Sequence, residues 1–240
     1  MPDFDLSNIW VYLPATPLVE LTVTLLVYTL TYKLYRLAKS NPLLNPVLTS
    51  ILILIALLLL TDTSYEQYFE GGQFIHFLLG PATVALAIPL YKQCSKLKTI
   101  WPQLAIAIVS GVTLSALSSV TFAKLLGASL ETQLSIAPKS VTTPVAMGIS
   151  EQIGGLPSLT AVLVVLTGIL GSTIAPKLLD WMRIQDNTIK GVALGVAAHG
   201  LGTARSFQLS SEMGAFAGLA MALSALTTAV LLPGLMRLLG

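Results

Sequence analysis

The chain has 240 residues, 54% of them hydrophobic and only 10% charged, against roughly 25% charged in an ordinary soluble domain. With a mean hydropathy of +0.81, that composition excludes a soluble globular protein and predicts one integral membrane domain, with the lipid bilayer as its solvent. The formal charge of +2 comes without a basic tract interleaved with aromatics, so nucleic acid is not an expected partner, and the lone Cys94 excludes an internal disulfide or a thiolate metal cluster.

The start, Met1-Pro2-Asp3-Phe4-Asp5, lacks the basic region of a signal peptide, so the first hydrophobic segment is expected to remain as an anchor. Runs near the ~20-residue spanning length fall at 12–32, 43–61, 73–91, 101–123, 157–179 and 213–236. They predict an all-α polytopic protein of about six full spans. Pro14 and Pro17 fall near the start of the first, where proline is tolerated, and Glu20 faces a neighbour or reaches for the surface.

Orientation follows from the short loops. Lys33, Arg36 and Lys39 follow the first span and Lys92, Lys96 and Lys98 the third, which makes both loops cytoplasmic. Asp62, Glu66 and Glu70 lie between them with Tyr65, Tyr68 and Phe69, a loop suited to the outer interface. The N-terminus is therefore expected outside. If residues 129–153 crossed fully, Lys177, Arg183 and Lys190 would all be external; if that stretch enters and returns, they are cytoplasmic. The charge bias favours the re-entrant reading.

That stretch is the centre of the chain. Ser135 to Met147 is small, hydroxyl-rich, bracketed by Pro138 and Pro144, and carries Lys139. Proline removes amide donors and clashes one turn back. In hydrocarbon an unpaired backbone group costs several kcal/mol, so such a segment persists only against protein or a water-filled cavity. A lysine at the bilayer centre costs about 2.5–3.5 kcal/mol on the insertion scale. The combination reads as a substrate site in a broken helix; the plainer alternative is a polar loop at the membrane surface. Residues 188–208, with Ala197-Ala198-His199-Gly200-Leu201-Gly202-Thr203-Ala204-Arg205-Ser206, form a second polar-interrupted stretch.

A shift of 60 residues superimposes the two: Lys139 meets His199, Thr143 meets Thr203, and Gly111 in the preceding span meets Gly171. Gly80-Pro81-Ala82-Thr83 is a weaker third echo. The pattern predicts an inverted-topology repeat with units 99–156 and 157–240, behind an N-terminal part, 1–98, serving as scaffold and dimerisation surface. Chance similarity among Gly/Ala-rich helices competes with it, but the loop charges ask for the inversion independently.

The candidate substrate-binding residues are Lys139, Ser140, Thr142, Thr143, His199, Thr203 and Arg205, with Thr83 and Gln152 secondary. Lys139 and His199 are candidate substrate cations or proton carriers, against interfacial snorkelling for the one and helix packing for the other. Arg205 suits a bidentate grip on a carboxylate, or marks the cytoplasmic end of its stretch. The hydroxyls bind a small polar ligand or re-satisfy freed carbonyls. Glu151 and Gln152 cap a helix or line the entrance. No His-Glu-x-x-His pair, Gly-x-Ser-x-Gly elbow or phosphate loop is present. No enzyme activity, metal or cofactor is expected, and direct ATP drive is not encoded.

At Pro138-Lys139-Ser140-Val141-Thr142-Thr143-Pro144, Gly168-Ile169-Leu170-Gly171 and His199-Gly200-Leu201-Gly202-Thr203-Ala204-Arg205 the chain resembles the LrgB/CidB family of bacterial inner-membrane proteins, particularly its enterobacterial branch. Asn41-Pro42-Leu43-Leu44-Asn45-Pro46 and Leu86-Ala87-Ile88-Pro89-Leu90-Tyr91 also fit. The resemblance implies a multi-pass protein of the inner (cytoplasmic) membrane and a small LrgA-like membrane partner. It also implies two roles. One is holin/antiholin-like control of murein hydrolase activity and autolysis. The other is transport, by similarity to the LrgB-like part of the plastid glycolate/glycerate translocator and to paired proteins of bacilli that handle pyruvate. The expected function is secondary transport of small monocarboxylates (glycolate, glycerate, lactate or pyruvate), with proton coupling through His199; the alternative is the antiholin-like regulator. A homodimer is expected from similar architectures.

Overall fold

A computed structural model describes residues 17–38, 44–85 and 87–239, with the side chains at 79, 80, 82, 83, 87 and 239 outside the description. The expectations resting on Met1–Asp5, Pro14, Asn41 and Pro42, and on the side chain of Thr83, fall outside the described residues. The chain divides into two compact units, 1–85 and 86–240.

The first unit holds α1 (Pro17–Leu37), α2 (Pro46–Leu60) and α3 (Tyr65–Ala85). Asn45 starts α2 by accepting the amides of Val47 at 3.0 Å and Leu48 at 3.3 Å, with Pro46 at the first helical position, where no amide is needed. Thr31 and Ser50, both buried, share a hydrogen bond of 2.7 Å between α1 and α2. Gly71 lets α3 approach α1 closely, since a Cβ there would lie 2.3 Å from the Pro17 carbonyl oxygen.

The second unit holds α4 (Ala87–Tyr91), α5 (Cys94–Leu125), α6 (Leu130–Ile136), α7 (Thr143–Ile153), α8 (Pro157–Trp181), α9 (Asn187–Leu209) and α10 (Ser211–Leu239). The described residues form helices, turns and loops, with no strand. Among the described residues three helices are long and apolar enough to cross a membrane: Cys94–Leu125, Pro157–Trp181 and Ser211–Leu238. They coincide with the expected spans at 101–123, 157–179 and 213–236, and they make this a membrane protein. Six are not reached by length and hydropathy among the described residues. Helix α2 is apolar but has 15 residues, about 22 Å of rise. Helices α1 and α3 have 21 residues each, but charges such as Glu20, Lys33 and Arg36, or Glu66 and Glu70, dilute their apolar stretches.

Within lipid no hydrophobic drive holds helix to helix, so close packing of small residues does that work. Accordingly Ala116, Ala137, Ala146, Ala198, Ala215, Ala217 and Ala220 are all buried. Leu104, Ile108, Val112 and Ala116 recur every fourth residue along α5 and form its inward stripe.

Both interrupted stretches fold back on themselves. After α6 the chain turns through 137–142, where Pro138 and Pro144 leave no room for a continuous helix, and α7 returns. The amide of Leu156, just past α7, donates to Ser135 Oγ at 2.8 Å near the end of α6. A Cβ on Gly155 would lie 2.8 Å from the Ser135 nitrogen. Thr160 of α8 locks the closure, reaching the Ser135 carbonyl at 2.9 Å and Ser150 Oγ at 2.7 Å, with all three residues fully buried.

Helix α9 breaks at Ala198 (φ −133, ψ 17) and His199 (φ 40, ψ −128). Its outgoing arm, 187–197, packs on α10, where Cβ atoms on Gly191 and Gly195 would each lie 2.3 Å from a carbonyl oxygen, of Met213 and of Ala217. The returning arm, 200–209, lies back against the first. A Cβ on Gly202 would come within 2.8 Å of Ala198 Cβ. Glycines of α8 receive this tip: a Cβ on Gly168 would lie 2.6 Å from the His199 ring, and one on Gly171 2.7 Å from Ala198 Cβ.

Candidate functional site

The first hairpin tip and the residue before the second break, Ala197, line one cavity of about 760 Å³ in the second unit. One wall is a face of α5, with Lys96, Ile100, Leu104, Ala107, Gly111 and Ser115 at helical spacing. The opposite wall is the outgoing arm of α9, from its cap Asp186 to Ala197 beside the break. Lys139 and Ser140 from the first tip and Thr167 from α8 complete the inner end. From Lys96 to Ser115 the α5 wall rises about 28 Å, close to the hydrocarbon thickness of a bilayer.

Chemistry is concentrated at that inner end. Lys139 is partly buried, and its ammonium donates to Ser115 Oγ at 3.2 Å and, at the limit of a hydrogen bond, to the Ser115 carbonyl at 3.5 Å. Ser115 and Ser140 hydroxyls lie 2.5 Å apart. With Lys139 donating to Ser115, the Ser115 proton is free for Ser140, which in turn can offer its own. Among the described residues, ion pairs form at Lys96–Glu212 and Lys190–Asp180, and no carboxylate lies within 4.0 Å of the Lys139 ammonium. A partly buried cation with no carboxylate in reach among the described residues, beside two hydroxyls, has the chemistry to hold an anion. The walls leading to it are apolar: Ile100, Leu104, Ala107, Val192, Ala193 and Val196.

The mouth is polar. Asp186 accepts the amides of Thr188 at 2.7 Å and Ile189 at 3.1 Å and so caps α9. Those amides, that of Ile189 foremost, together with the Lys96 charge, hold its carboxyl below the ordinary aspartate range.

Of the residues singled out in the sequence, Lys139 and Ser140 line the cavity. The others do not. Thr142 is the first cap of α7, without a side-chain hydrogen bond to the helix, and Thr143 begins that helix. His199 is buried at the tip, with Nε2 3.0 Å from the Val164 carbonyl oxygen of α8. Thr203 donates to the His199 carbonyl at 2.9 Å and satisfies the broken turn. Arg205 donates to Gln208 at 3.0 Å, and Gln152 is exposed. The structure thus gathers the first tip into the cavity and places His199 and Thr203 behind its wall, where they hold the second tip together.

Sequence reasoning missed Ser115, Thr167, Lys96, Asp186 and Thr188. For Ser115 a signal existed: Ala107, Gly111 and Ser115 are small residues every fourth position on α5, a face too slim to fill the space beside it.

Residues 24–238 match the LrgB-like family. Among its relatives is YwbG of Bacillus subtilis (strain 168), 39% identical over 91% of this chain and 97% of its own length. YxaC of the same organism is 39% identical over 80% of this chain and 83% of its own. The antiholin-like protein LrgB of Bacillus cereus (strain B4264) is 34% identical over 94% of this chain and 98% of its own. No solved structure matches. The resemblance carried by the Pro138–Pro144, Gly168–Gly171 and His199–Arg205 stretches is therefore the family relationship itself, and the chain belongs to the LrgB-like family.

Proposed function

We propose that the cavity is a solute site and that the protein is a secondary transporter of small monocarboxylates, of the glycolate, glycerate, lactate and pyruvate class. One observation carries this reading: Lys139, with no carboxylate within reach among the described residues, stands on the first folded-back tip at the end of an apolar cavity. A carboxylate there accepts from the Lys139 ammonium and the Ser140 hydroxyl. The uncapped start of α7 adds a favourable dipole nearby. The apolar walls disfavour a second charge, which selects monoanions.

In this reading residues 99–156 and 157–240 are repeat units of opposite topology, each contributing one re-entrant hairpin, and alternating access moves one against the other. The first unit serves as scaffold and homodimer surface. The protein lies in the bacterial inner membrane with its N-terminus periplasmic, works beside a small LrgA-like membrane protein, and catalyses no chemical reaction. His199, held against Val164, bears on coupling to protons through the tip it shapes.

A second reading is favoured by a separate observation, the name antiholin-like protein LrgB carried by relatives such as that of Bacillus cereus. In it the protein regulates murein hydrolase activity and autolysis without turning over a solute. On the names of relatives alone this second reading is the better supported; the geometry of Lys139 speaks for the first.

Flux of labelled glycolate, lactate and pyruvate into proteoliposomes, with and without the small partner and a pH gradient, separates the two. Transport predicts saturable flux lost in Lys139→Ala with the protein still folded. Lack of flux in every preparation of folded protein, with autolysis phenotypes unchanged in Lys139→Ala cells, leaves the regulatory reading.

A further inference from the structure

The mouth of the cavity carries an ion pair that solute binding at Lys139 does not use. Lys96 Nζ lies 2.8 Å from Glu212 Oε1, joining the first turn of α5 to the first turn of α10. Thr188 Oγ1, in the first turn of α9, donates to the same oxygen at 3.2 Å. One carboxylate thus ties together the N-terminal ends of three helices, at the end of the cavity opposite Lys139. The Lys96 ammonium also stands 5.8 Å from the centre of the Phe216 ring of α10. Lys96, Asp186 and Thr188 all line the cavity.

The side chains of the pair are 38% and 31% exposed, and an ion pair so wet contributes little to stability. It is also long-armed, made of a four-carbon lysine stem and a glutamate, and both ends find water when they part. Through Glu212 the contact joins Lys96 on the α5 wall to Thr188 on the α9 wall at the mouth, and a contact that is weak and exchangeable closes a passage without holding the fold. Lys190–Asp180, the other pair among the described residues, lies outside the cavity lining and has no such position.

We propose that the Lys96–Glu212 pair, with Thr188 as its third member, is the gate of this cavity, closed when the pair is formed and open when it parts. The inference rests on the cavity being a solute path, yet its test reads access and not flux, so either idea can fail without the other.

Ser140→Cys in a Cys94→Ala background, in lipid nanodiscs that expose both faces, reports access to the inner end. The probe is an anionic methanethiosulfonate, and the readout is its rate of reaction with the introduced thiol. Lys96→Gln and Glu212→Gln are each expected to raise that rate at least fivefold. The swapped pair Lys96→Glu with Glu212→Lys is expected to return it to within twofold of the parent. Ser64→Cys, exposed just before α3, reports any change in the reagent itself and is expected to stay constant.

The two single variants change the local field in opposite senses toward an anionic reagent. Rates that move in opposite directions would therefore show a field effect and overturn the gate. Unchanged rates, a swapped pair as fast as the singles, or no reaction at position 140 in any variant would overturn it equally. Melting curves of each variant identify unfolding, in which case Thr188→Val, which removes only the third contact, is used instead and is expected to raise the rate at least twofold.

Discussion

A Cβ placed on Gly202 would lie 2.3 Å from the carbonyl oxygen of Leu194, although a continuous helix would hold these residues about 12 Å apart along its axis. The close approach exists because α9 reverses at Ala198–His199. Glycine at 202 is thus a requirement of the hairpin and not of local helix geometry. Gly200, two residues earlier, has open space where its Cβ would be. Gly202→Ala is expected to destabilise the protein by about 1–3 kcal/mol, since the obstructing atom is backbone and cannot swing away. Gly200→Ala is expected to be neutral or stabilising by up to about 1 kcal/mol. Thermal unfolding in detergent checks both, and equal effects at the two sites would refute the hairpin packing.

His199 makes the reversal at a positive φ of 40°, a region that L-residues with a Cβ enter at a cost of roughly 1–2 kcal/mol. Its ring bond to the Val164 carbonyl and its place against Gly168 hold it there. His199→Ala and His199→Gly both lose the ring, but only alanine retains the backbone cost. The glycine variant should therefore be the more stable by about 1 kcal/mol. Denaturant titration that ranks alanine above glycine would count against strain at this position.

Much of this was legible in the sequence, for definite reasons. Pro138 and Pro144 interrupt a helix and polar residues among glycines interrupt the apolar run near 199–206, so both stretches stood out, and the loop charges suggested that the first returns. The spans at α5, α8 and α10 followed from length and hydropathy. The composition of the site was legible only in part. Lys139 and Ser140 stood out because a charge and hydroxyls in an apolar segment are costly. His199 stood out for the same reason, yet the structure uses it to fasten the second tip, a role that depends on Val164 and Gly168 of another helix. Ser115 could be placed beside Lys139 only by knowing how α5 crosses the first hairpin. Glu212, at the head of α10, gives no sign in sequence that its partner is Lys96, more than a hundred residues away.

The lock at the base of the first hairpin makes a separate prediction. Thr160 has one proton, which it donates between Ser150 Oγ at 2.7 Å and the Ser135 carbonyl at 2.9 Å, with the Leu156 carbonyl one turn back as a third acceptor at 3.0 Å. Thr160→Val keeps the shape and removes these bonds in a fully buried place. It is expected to cost about 1–3 kcal/mol. Ser150→Ala alone should cost less, and the double variant less than the sum of the two, because they share a bond. Additive losses would mean that the hydroxyls act independently.

Acid sensitivity of α9 follows from its cap. The Asp186 carboxylate accepts the Ile189 and Thr188 amides and lies near Lys96, which lowers its pKa from the ordinary value of 3.8. A lowered folded pKa means that the ionised form is the one favoured by folding. Its contribution is complete above the unfolded value and disappears as pH falls through the lower, folded one. Asp186→Asn retains a capping oxygen without the charge, whereas Asp186→Ala loses the cap and is expected to cost about 0.5–2 kcal/mol at neutral pH. Unfolding midpoints of the parent and of Asp186→Asn, measured in detergent from pH 7 down to 2, isolate the charge, because the other carboxylates titrate in both proteins. The stability advantage of the parent should be constant above about pH 5, then shrink steadily below pH 4. A difference that does not change over this range would show that the carboxylate caps α9 no better charged than neutral, and would remove Asp186 from the electrostatics of the cavity mouth.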